Sequence, residues 1–248
     1  MIGLKKVTDR GSEVLVMTKI TRFFEQLSAE NQNVMLDKGT EIQAQSGTVL
    51  FSEGDIPEYT FLILSGLVRQ SKMTADGKEF SVSLSQKGEL VGETALFNGL
   101  ALAVTATVIE DARLIRYQRQ ELENLFEEKG EIAVAFMKWS AIQNQSTQSK
   151  FRDLILCGKK GGLYSTLIRF SNSYGEKHKD GILINIALTN HEIANYIGTT
   201  REGVNRIMSE LKKDQIISYE NNKIIIRDLQ YLRNFLQCGD CPVEICTI

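Results

Sequence analysis

Leu188-Thr-Asn-His-Glu-Ile-Ala-Asn-Tyr-Ile-Gly-Thr-Thr-Arg-Glu-Gly-Val-Asn-Arg-Ile-Met-Ser-Glu-Leu211 decides the fold of the C-terminal third. Thr189 stands where a cap is needed for a helix running to Tyr196. Gly198 supplies a turn, and Thr199 or Thr200 caps a second helix. Val204, Ile207, Met208 and Leu211 fall on one face of that helix; Leu188, Ile193, Ala194 and Ile197 offer the surface they meet. Ala194 is small enough for the two helices to cross closely. Apolar spacing, turn glycine and two caps agree on a helix-turn-helix. Two short apolar runs at 216–219 and 223–227, joined by Glu220-Asn-Asn222, read as a hairpin wing. The start of a second helix of this kind meets base edges, which singles out Thr200, Arg201, Glu202, Asn205 and Arg206. Arginine pairs with guanine through two hydrogen bonds and glutamate accepts from cytosine. Lys212 and Lys213 suit phosphates. The bland alternative is an exposed, salt-bridged helix face.

Upstream, the period changes to two. Thr48-Val-Leu-Phe-Ser52 is a short strand, and Tyr59-Thr-Phe-Leu-Ile-Leu64 is a buried one closed by Ser65-Gly66. A strand over 67–73 ends at Ala75-Asp76-Gly77, a hairpin signal, and 80–84 pairs back. Gly88-Glu-Leu-Val-Gly-Glu93 and 103–117 complete the set. Short strands between glycine-bearing turns predict an antiparallel barrel or roll. Before it, 21–36 carries Phe23, Phe24, Leu27, Val34 and Leu36 as one amphipathic helix, and 1–20 is an arm. After it come a short helix over 118–128 and a long one from 131 to about 157. Ile132, Phe136, Trp139 and Ile142 make an apolar stripe on the long helix, suited either to a twin helix or to the roll of the same chain. Its stretch 143–150 is polar. A helix over 163–174, a charged loop over 175–181 and a strand over 182–186 lead into the helix-turn-helix. The fold class is α+β.

The last eleven residues begin Cys238-Gly-Asp-Cys241-Pro-Val-Glu-Ile-Cys246 and hold three of the four cysteines. A Cys-x-x-Cys bend turns two thiolates toward one centre, and Pro242 stiffens it. Three thiolates leave one corner of a four-ligand cluster open. Asp153, the only aspartate between Asp111 and Asp180, and Cys157 are the candidates for it. Thiolate is the softer donor and the default for iron. Zinc takes the same bend, and reduced thiols without a role are the plain alternative. A disulfide fits less well in a chain with no secretory signal.

Composition narrows the classes. The 248 residues carry a net charge of −2, so any nucleic-acid contact has to be a local patch. No apolar run is long enough for a membrane span, no signal core opens the chain, and the expected location is the cytoplasm. There is no glycine-rich phosphate loop. The only histidines are His178 and His191, and no nucleophile–base pair is suggested, so no catalytic residue is assigned.

Gly54, Tyr59-Thr-Phe-Leu-Ile-Leu-Ser-Gly66, Asp76-Gly77 and Val91-Gly-Glu-Thr-Ala-Leu-Phe97 resemble the effector domain of the Crp/Fnr family of bacterial regulators. The likeness runs from about Phe23 to Arg227. It implies an N-terminal cyclic-nucleotide-binding-like β-roll over 21–129, a dimerisation helix over 130–158 and a winged helix-turn-helix over 159–237. A cysteine-rich tail then occupies 238–248. Members that bind a cyclic nucleotide place an arginine about ten residues after the Gly-Glu pair. Residues 98–110 here hold no arginine or lysine, so no cyclic nucleotide is expected. Arg201, Glu202 and Arg206 resemble the Crp reading head, which implies a TGTGA-type palindrome bound by a homodimer. Gly203 departs from the larger residue usual there. The tail looks like that of the Fnr regulators of bacilli, in which three thiolates and one aspartate hold an oxygen-labile [4Fe-4S] cluster. Carried over, the ligands are Cys238, Cys241, Cys246 and Asp153. The implied function is an oxygen-responsive regulator of anaerobic genes that meets double-stranded promoter DNA and RNA polymerase, with no membrane. A zinc- or thiol-based redox switch on the same scaffold is the alternative.

Overall fold

Alternating apolar residues close residues 40–118 into a β-roll. In the computed structural model, which describes residues 22–96, 98–238 and 241–248, it consists of β1 Thr40–Ala44, β2 Val49–Phe51, β3 Tyr59–Met73, β4 Glu79–Ser85, β5 Leu90–Val91 and β6 Thr105–Gln118. All pairings are antiparallel, in the order β1-β6-β3-β4, with β2 on β6 and β5 on β3. Phe61, Ile63, Val68, Val91, Val108 and Leu114 fill the interior. The two strands expected either side of Ser65-Gly66 are one strand of 15 residues. Its register against β6 slips between Ile63 and Val68, and Gly66 sits there with φ +88°. A Cβ at Gly66 would lie 2.6 Å from the Asp111 carbonyl oxygen, so glycine is required for a bulge, not for a stop. The 1–20 arm lies outside the described residues.

The single helix expected over 21–36 is also corrected. One 3-10 turn, Phe24–Gln26, precedes α1 Ala29–Lys38. Ser28 separates them by capping α1, its hydroxyl accepting from the Asn31 N–H at 3.2 Å.

After α2 (Arg119–Glu128), α3 runs from Gly130 to Leu156, 27 residues, about 40 Å of helix. Its expected dimer stripe faces elsewhere. Ile132, Phe136 and Trp139 are buried with Phe23, Leu122 and Phe126 beneath the chain's own roll. The outward face instead carries Val134, Met137, Ala141, Asn144, Gln148, Phe151 and Ile155, all exposed and spaced alternately by three and four. Both faces repeat at helical spacing, and periodicity alone does not say which one meets the roll.

The winged domain begins with α4 Gly158–Tyr174, longer at its start than expected. The presumed charged loop over 175–181 is largely strand: β7 Gly175–His178 pairs with β8 Gly181–Ile184. α5 Asn190–Ile197 and α6 Arg201–Lys213 follow, then β9 Ile217–Glu220 and β10 Lys223–Ile226. Asn221 and Asn222 take φ of 49° and 61°, as a two-residue hairpin turn requires. α7, Leu229–Phe235, was not foreseen. The sheet order is β7-β8-β10-β9. Leu67 and Leu84 of the roll join the winged domain's core, so the two units share apolar packing. Among the described residues no helix is long and apolar enough to cross a membrane.

Candidate nucleic-acid interface and cysteine clamp

α5 and α6 form from local signals. Thr189 and Glu192 make a reciprocal capping box on α5. Gly198 turns the chain at φ +61°, and the Thr200 hydroxyl accepts from the Gly203 N–H at 3.2 Å to start α6. Val204, Ile207, Met208 and Leu211 are all buried, which rotates the other face outward. Thr200, Arg201, Glu202, Asn205 and Arg206 are exposed on it. Among the described residues Arg201, Glu202 and Arg206 enter no salt bridge, so the salt-bridged-face alternative finds no partner there. Asn205 accepts from the Asn190 side chain at 3.1 Å. A Cβ at Gly203 would stand 3.3 Å from the Thr199 hydroxyl and 3.4 Å from that of Thr200, so glycine lets both threonines crowd the helix start. Lys212 lies over the Tyr219 ring at 5.7 Å, and Lys160 of α4 pairs with Glu210 at 3.3 Å.

The helix-turn-helix is also held against the roll. Asn195 of α5 donates to Glu79 of β4 at 2.9 Å, and Glu79 pairs with Arg69 at 3.1 Å. Tyr174 of α4 donates to the Leu84 carbonyl at 2.9 Å in a buried contact. The orientation of α6 is therefore set by contacts on α4, α5 and β4.

The cysteine tail leaves α7 and turns back along α3 and α4. Its end is docked by backbone contacts. Arg169 donates to the carbonyls of Ile245 (3.1 Å) and Thr247 (3.2 Å), and Asn172 donates to that of Cys246 (2.7 Å). Ser146 of α3 donates to the Thr247 carbonyl at 3.3 Å, and the Ile248 N–H donates to Ser173 at 3.1 Å. Asp153, on the last turns of α3, is buried. Burial works to raise its pKa, but donation from Ser165, Arg152 and Arg169 outweighs that and holds the carboxyl below its ordinary value. Burial pushes the Cys238 thiol up, reinforced by Cys246, Asp153 and Cys241 against Arg152. Burial does the same to Cys246, opposed by Arg169 and reinforced by Asp153 and Cys241. Arg152 makes contact with Cys241 as well. The three tail thiols and Asp153 thus share one electrostatic neighbourhood. Cys157 is partly buried at the C-cap of α3. No three His, Cys, Asp or Glu side chains among the described residues are grouped to hold a single metal ion.

Comparison with known proteins fits this arrangement. Residues 41–129 match the family described as Cyclic nucleotide-binding domain, and residues 163–235 match the Crp-like helix-turn-helix domain. The Anaerobic regulatory protein of Bacillus subtilis (strain 168) is 42% identical over 224 residues, 90% of this chain and 94% of that one. The chain belongs to the Crp/Fnr family. The CRP-like cAMP-activated global transcriptional regulator of Mycobacterium tuberculosis (strain H37Rv) is 24% identical, over 75% of this chain and 83% of that one. Among solved structures, a mutant of CooA from Carboxydothermus hydrogenoformans superposes with a TM-score of 0.74 at 21% identity, over 89% of this chain and 98% of that one. This Crp/Fnr chain is a DNA-binding transcription regulator, not an enzyme.

The roll's Gly-Glu pair is Gly92-Glu93. Burial pushes the Glu93 carboxyl up to about 7, and its Oε2 is cut off from solvent with no hydrogen-bond partner among the described residues. Arg119 lies within 3.6 Å of the space beside Gly99, but its guanidinium is bound to Glu123 at 2.9 Å. Sequence reasoning missed the docking residues Ser146, Arg169 and Asn172. A signal existed: Ser165, Arg169 and Asn172 recur at spacings of four and three on α4.

Proposed function

We propose that this regulator responds to oxygen through a [4Fe-4S] cluster held by Cys238, Cys241, Cys246 and Asp153, and reads a TGTGA-type palindrome as a homodimer. The reading is supported by the docking of the Cys246 backbone on α4 and by the electrostatic coupling of Cys238 and Cys246 to Cys241 and Asp153 near the end of α3. Burial raises the Cys238 and Cys246 thiols, so a cationic group beside them is needed to favour their thiolates. The zinc alternative would draw four ligands to within about 2.0–2.3 Å of one point. A cluster takes each thiolate at a different iron.

A bound cluster supplies iron that oxygen attacks, and the carboxylate corner is its harder, more labile ligand. Everything else is done by the chain. Cys238 follows α7, whose Phe235 packs on Tyr164 of α4 at 4.9 Å, and Asp153 ends α3. Liganding both ties the winged domain to the long helix. The angle between the two reading helices of a dimer then depends on that tie, and losing it shifts the population away from the DNA-competent arrangement.

The outward face of α3 supports the dimer. Its three-four spacing is that of a coiled-coil seam, with Val134, Met137, Phe151 and Ile155 apolar and Asn144 and Gln148 polar at its centre. The promoter-bound dimer is read as RNA polymerase's partner, and the roll as a scaffold without a cyclic nucleotide.

The test is anaerobic reconstitution. Visible absorption with iron and sulfide assays, followed by DNA affinity with and without the cluster, is expected to show tighter binding by the loaded dimer, reversed by air. Zinc-containing, iron-free protein from oxygen-protected cells would overturn the reading. On DNA, Arg201→Ala is expected to cost about 1–3 kcal/mol on a TGTGA site and to relax the preference at one base pair, read by titration against single-base variants.

A further inference from the structure

Arg169 is only 2% exposed, yet it carries a full charge in the middle of the molecule. Its Nη2 donates to Asp153 Oδ2 at 3.1 Å and to Ser149 at 2.8 Å. Nε donates to Ser165 at 3.2 Å, and Nη1 reaches the carbonyls of Ile245 and Thr247 at 3.1 and 3.2 Å. One rigid fork therefore grips Asp153 at one end and the backbone on both sides of Cys246 at the other. A buried guanidinium is costly unless it is paired and bonded. Here the partners that satisfy it belong to the cysteine site and its immediate supports.

Asp153 shows a matching division of labour. A carboxylate offers about four lone-pair sites. Arg152 takes two contacts on Oδ1, at 3.0 and 2.7 Å, while Ser165 (2.6 Å) and Arg169 (3.1 Å) take Oδ2. The Arg152 side chain is 53% exposed and that of Arg169 is 2% exposed. One donor is free to swing into solvent, and the other is walled in.

We propose that Arg169 is the positioning residue of the cysteine site: with or without metal it holds Asp153 and the Cys246 backbone in one register, while Arg152 is the exchangeable guard of Oδ1. The tail accordingly stays docked when the site is empty, and refilling it needs only that Arg152 move aside. This rests on the reading of Asp153 and Cys246 as ligands, but its first test needs no metal.

In iron-free, reduced protein, the rate at which iodoacetamide alkylates Cys246 is followed by mass spectrometry, with Cys157 as the internal reference. Arg169→Gln is expected to speed Cys246 by about tenfold or more, the scale of lost charge-assisted hydrogen bonds, and to leave Cys157 unchanged. Arg169→Lys, which keeps the charge but not the fork, is expected to fall between. Arg152→Gln is expected to leave Cys246 protected and to speed uptake of iron and sulfide. Asn172→Ala releases the Cys246 carbonyl without touching Asp153; if Arg169→Gln proves unfolded by circular dichroism, it is expected to raise Cys246 reactivity in a folded chain. Unchanged Cys246 protection in Arg169→Gln, or in Asn172→Ala where it stands in, overturns the proposal, as does lost protection with undiminished iron uptake in Arg169→Gln. Failure of the wild type itself to take up iron overturns the proposed function instead, and is seen before any variant is made.

Discussion

Two acidic residues, one in the roll and one at the end of the long helix, are treated in opposite ways. Glu93 belongs to the roll's Gly-Glu pair, yet among the described residues its Oε2 meets no donor, and burial pushes its carboxyl up to about 7. Asp153 is buried too, but Ser165, Arg152 and Arg169 surround it and hold it ionised. A carboxyl without a cation becomes neutral and inert; one in a cationic cradle stays charged and available. The difference is one of surroundings: the buried carboxyl at the tail has cationic partners, and the one in the roll has none of that kind among the described residues.

The largest effect should come from removing the satisfied carboxylate. Asp153→Ala leaves Arg169 buried without its counter-charge, and breaking a buried pair from one side costs about 3–5 kcal/mol. Urea unfolding of the iron-free variant should show that loss, and the same variant should fail to retain iron after reconstitution. Glu93→Gln should go the other way and stabilise the protein near neutral pH, because it removes a carboxyl that folding holds away from water. Opposite signs at these two positions sharpen the contrast. Destabilisation at both would break it.

How much of this could be read beforehand depends on how local each signal is. Thr189, Glu192, Gly198 and Thr200 act within a turn of themselves, so the helix-turn-helix was plain from residue order. Gly66 looked like a strand end because a glycine with positive φ usually is one. That β3 continues depends on how closely β6 approaches it, a contact over 40 residues away in sequence. The stripe on α3 was open to two partners for another reason: Ile132, Phe136 and Trp139 are buried against Phe23 and Phe126, and the partner of a helix face is not written in its period. The tail cysteines stood out by type and spacing. Arg169 did not, since an arginine in a helix is ordinarily solvated and its partners here are backbone carbonyls, which any sequence provides.

A pH profile tests the same pair by titration. Glu93 holds its proton in the fold up to about 7 and releases it near 4.3 when unfolded. Between those values the native state carries more protons, so this residue makes stability fall as pH rises, and the loss is complete above about 7. Glu89, also pushed up to about 7 by burial despite Arg22, acts in the same sense. Asp153, held below its ordinary value, contributes stability that disappears as pH falls through the acid range. Lys150, pushed down to about 7 by burial, returns stability only above that value, so the comparison belongs below neutrality. Thermal melts from pH 4.5 to 7 should show Glu93→Gln flattening the decline by roughly 1–2 kcal/mol, with the Glu89 part remaining. An unchanged slope would mean that Glu93 reaches water or a partner after all.

The smallest expected effect is a null, and it is informative because the fold invites the opposite. Cyclic AMP brings a phosphate that must shed water on entering the roll, and the shed hydration has to be replaced by charge-assisted donors. Residues 98–110 contain no arginine or lysine, and Arg119 beside Gly99 is already engaged by Glu123 at 2.9 Å. A carboxyl poised to lose its proton near pH 7 would add repulsion to that deficit. Millimolar cyclic AMP or cyclic GMP should therefore leave the melting temperature and DNA affinity of the iron-free protein unchanged, whereas a ligand at a hundred times its Kd would stabilise by about 2.7 kcal/mol. A rise of that size would show that Arg119 leaves Glu123 to meet the phosphate, and Arg119→Gln should then abolish it. In that event the roll would be a second, working sensor, and the two carboxylates would differ in ligand rather than in function.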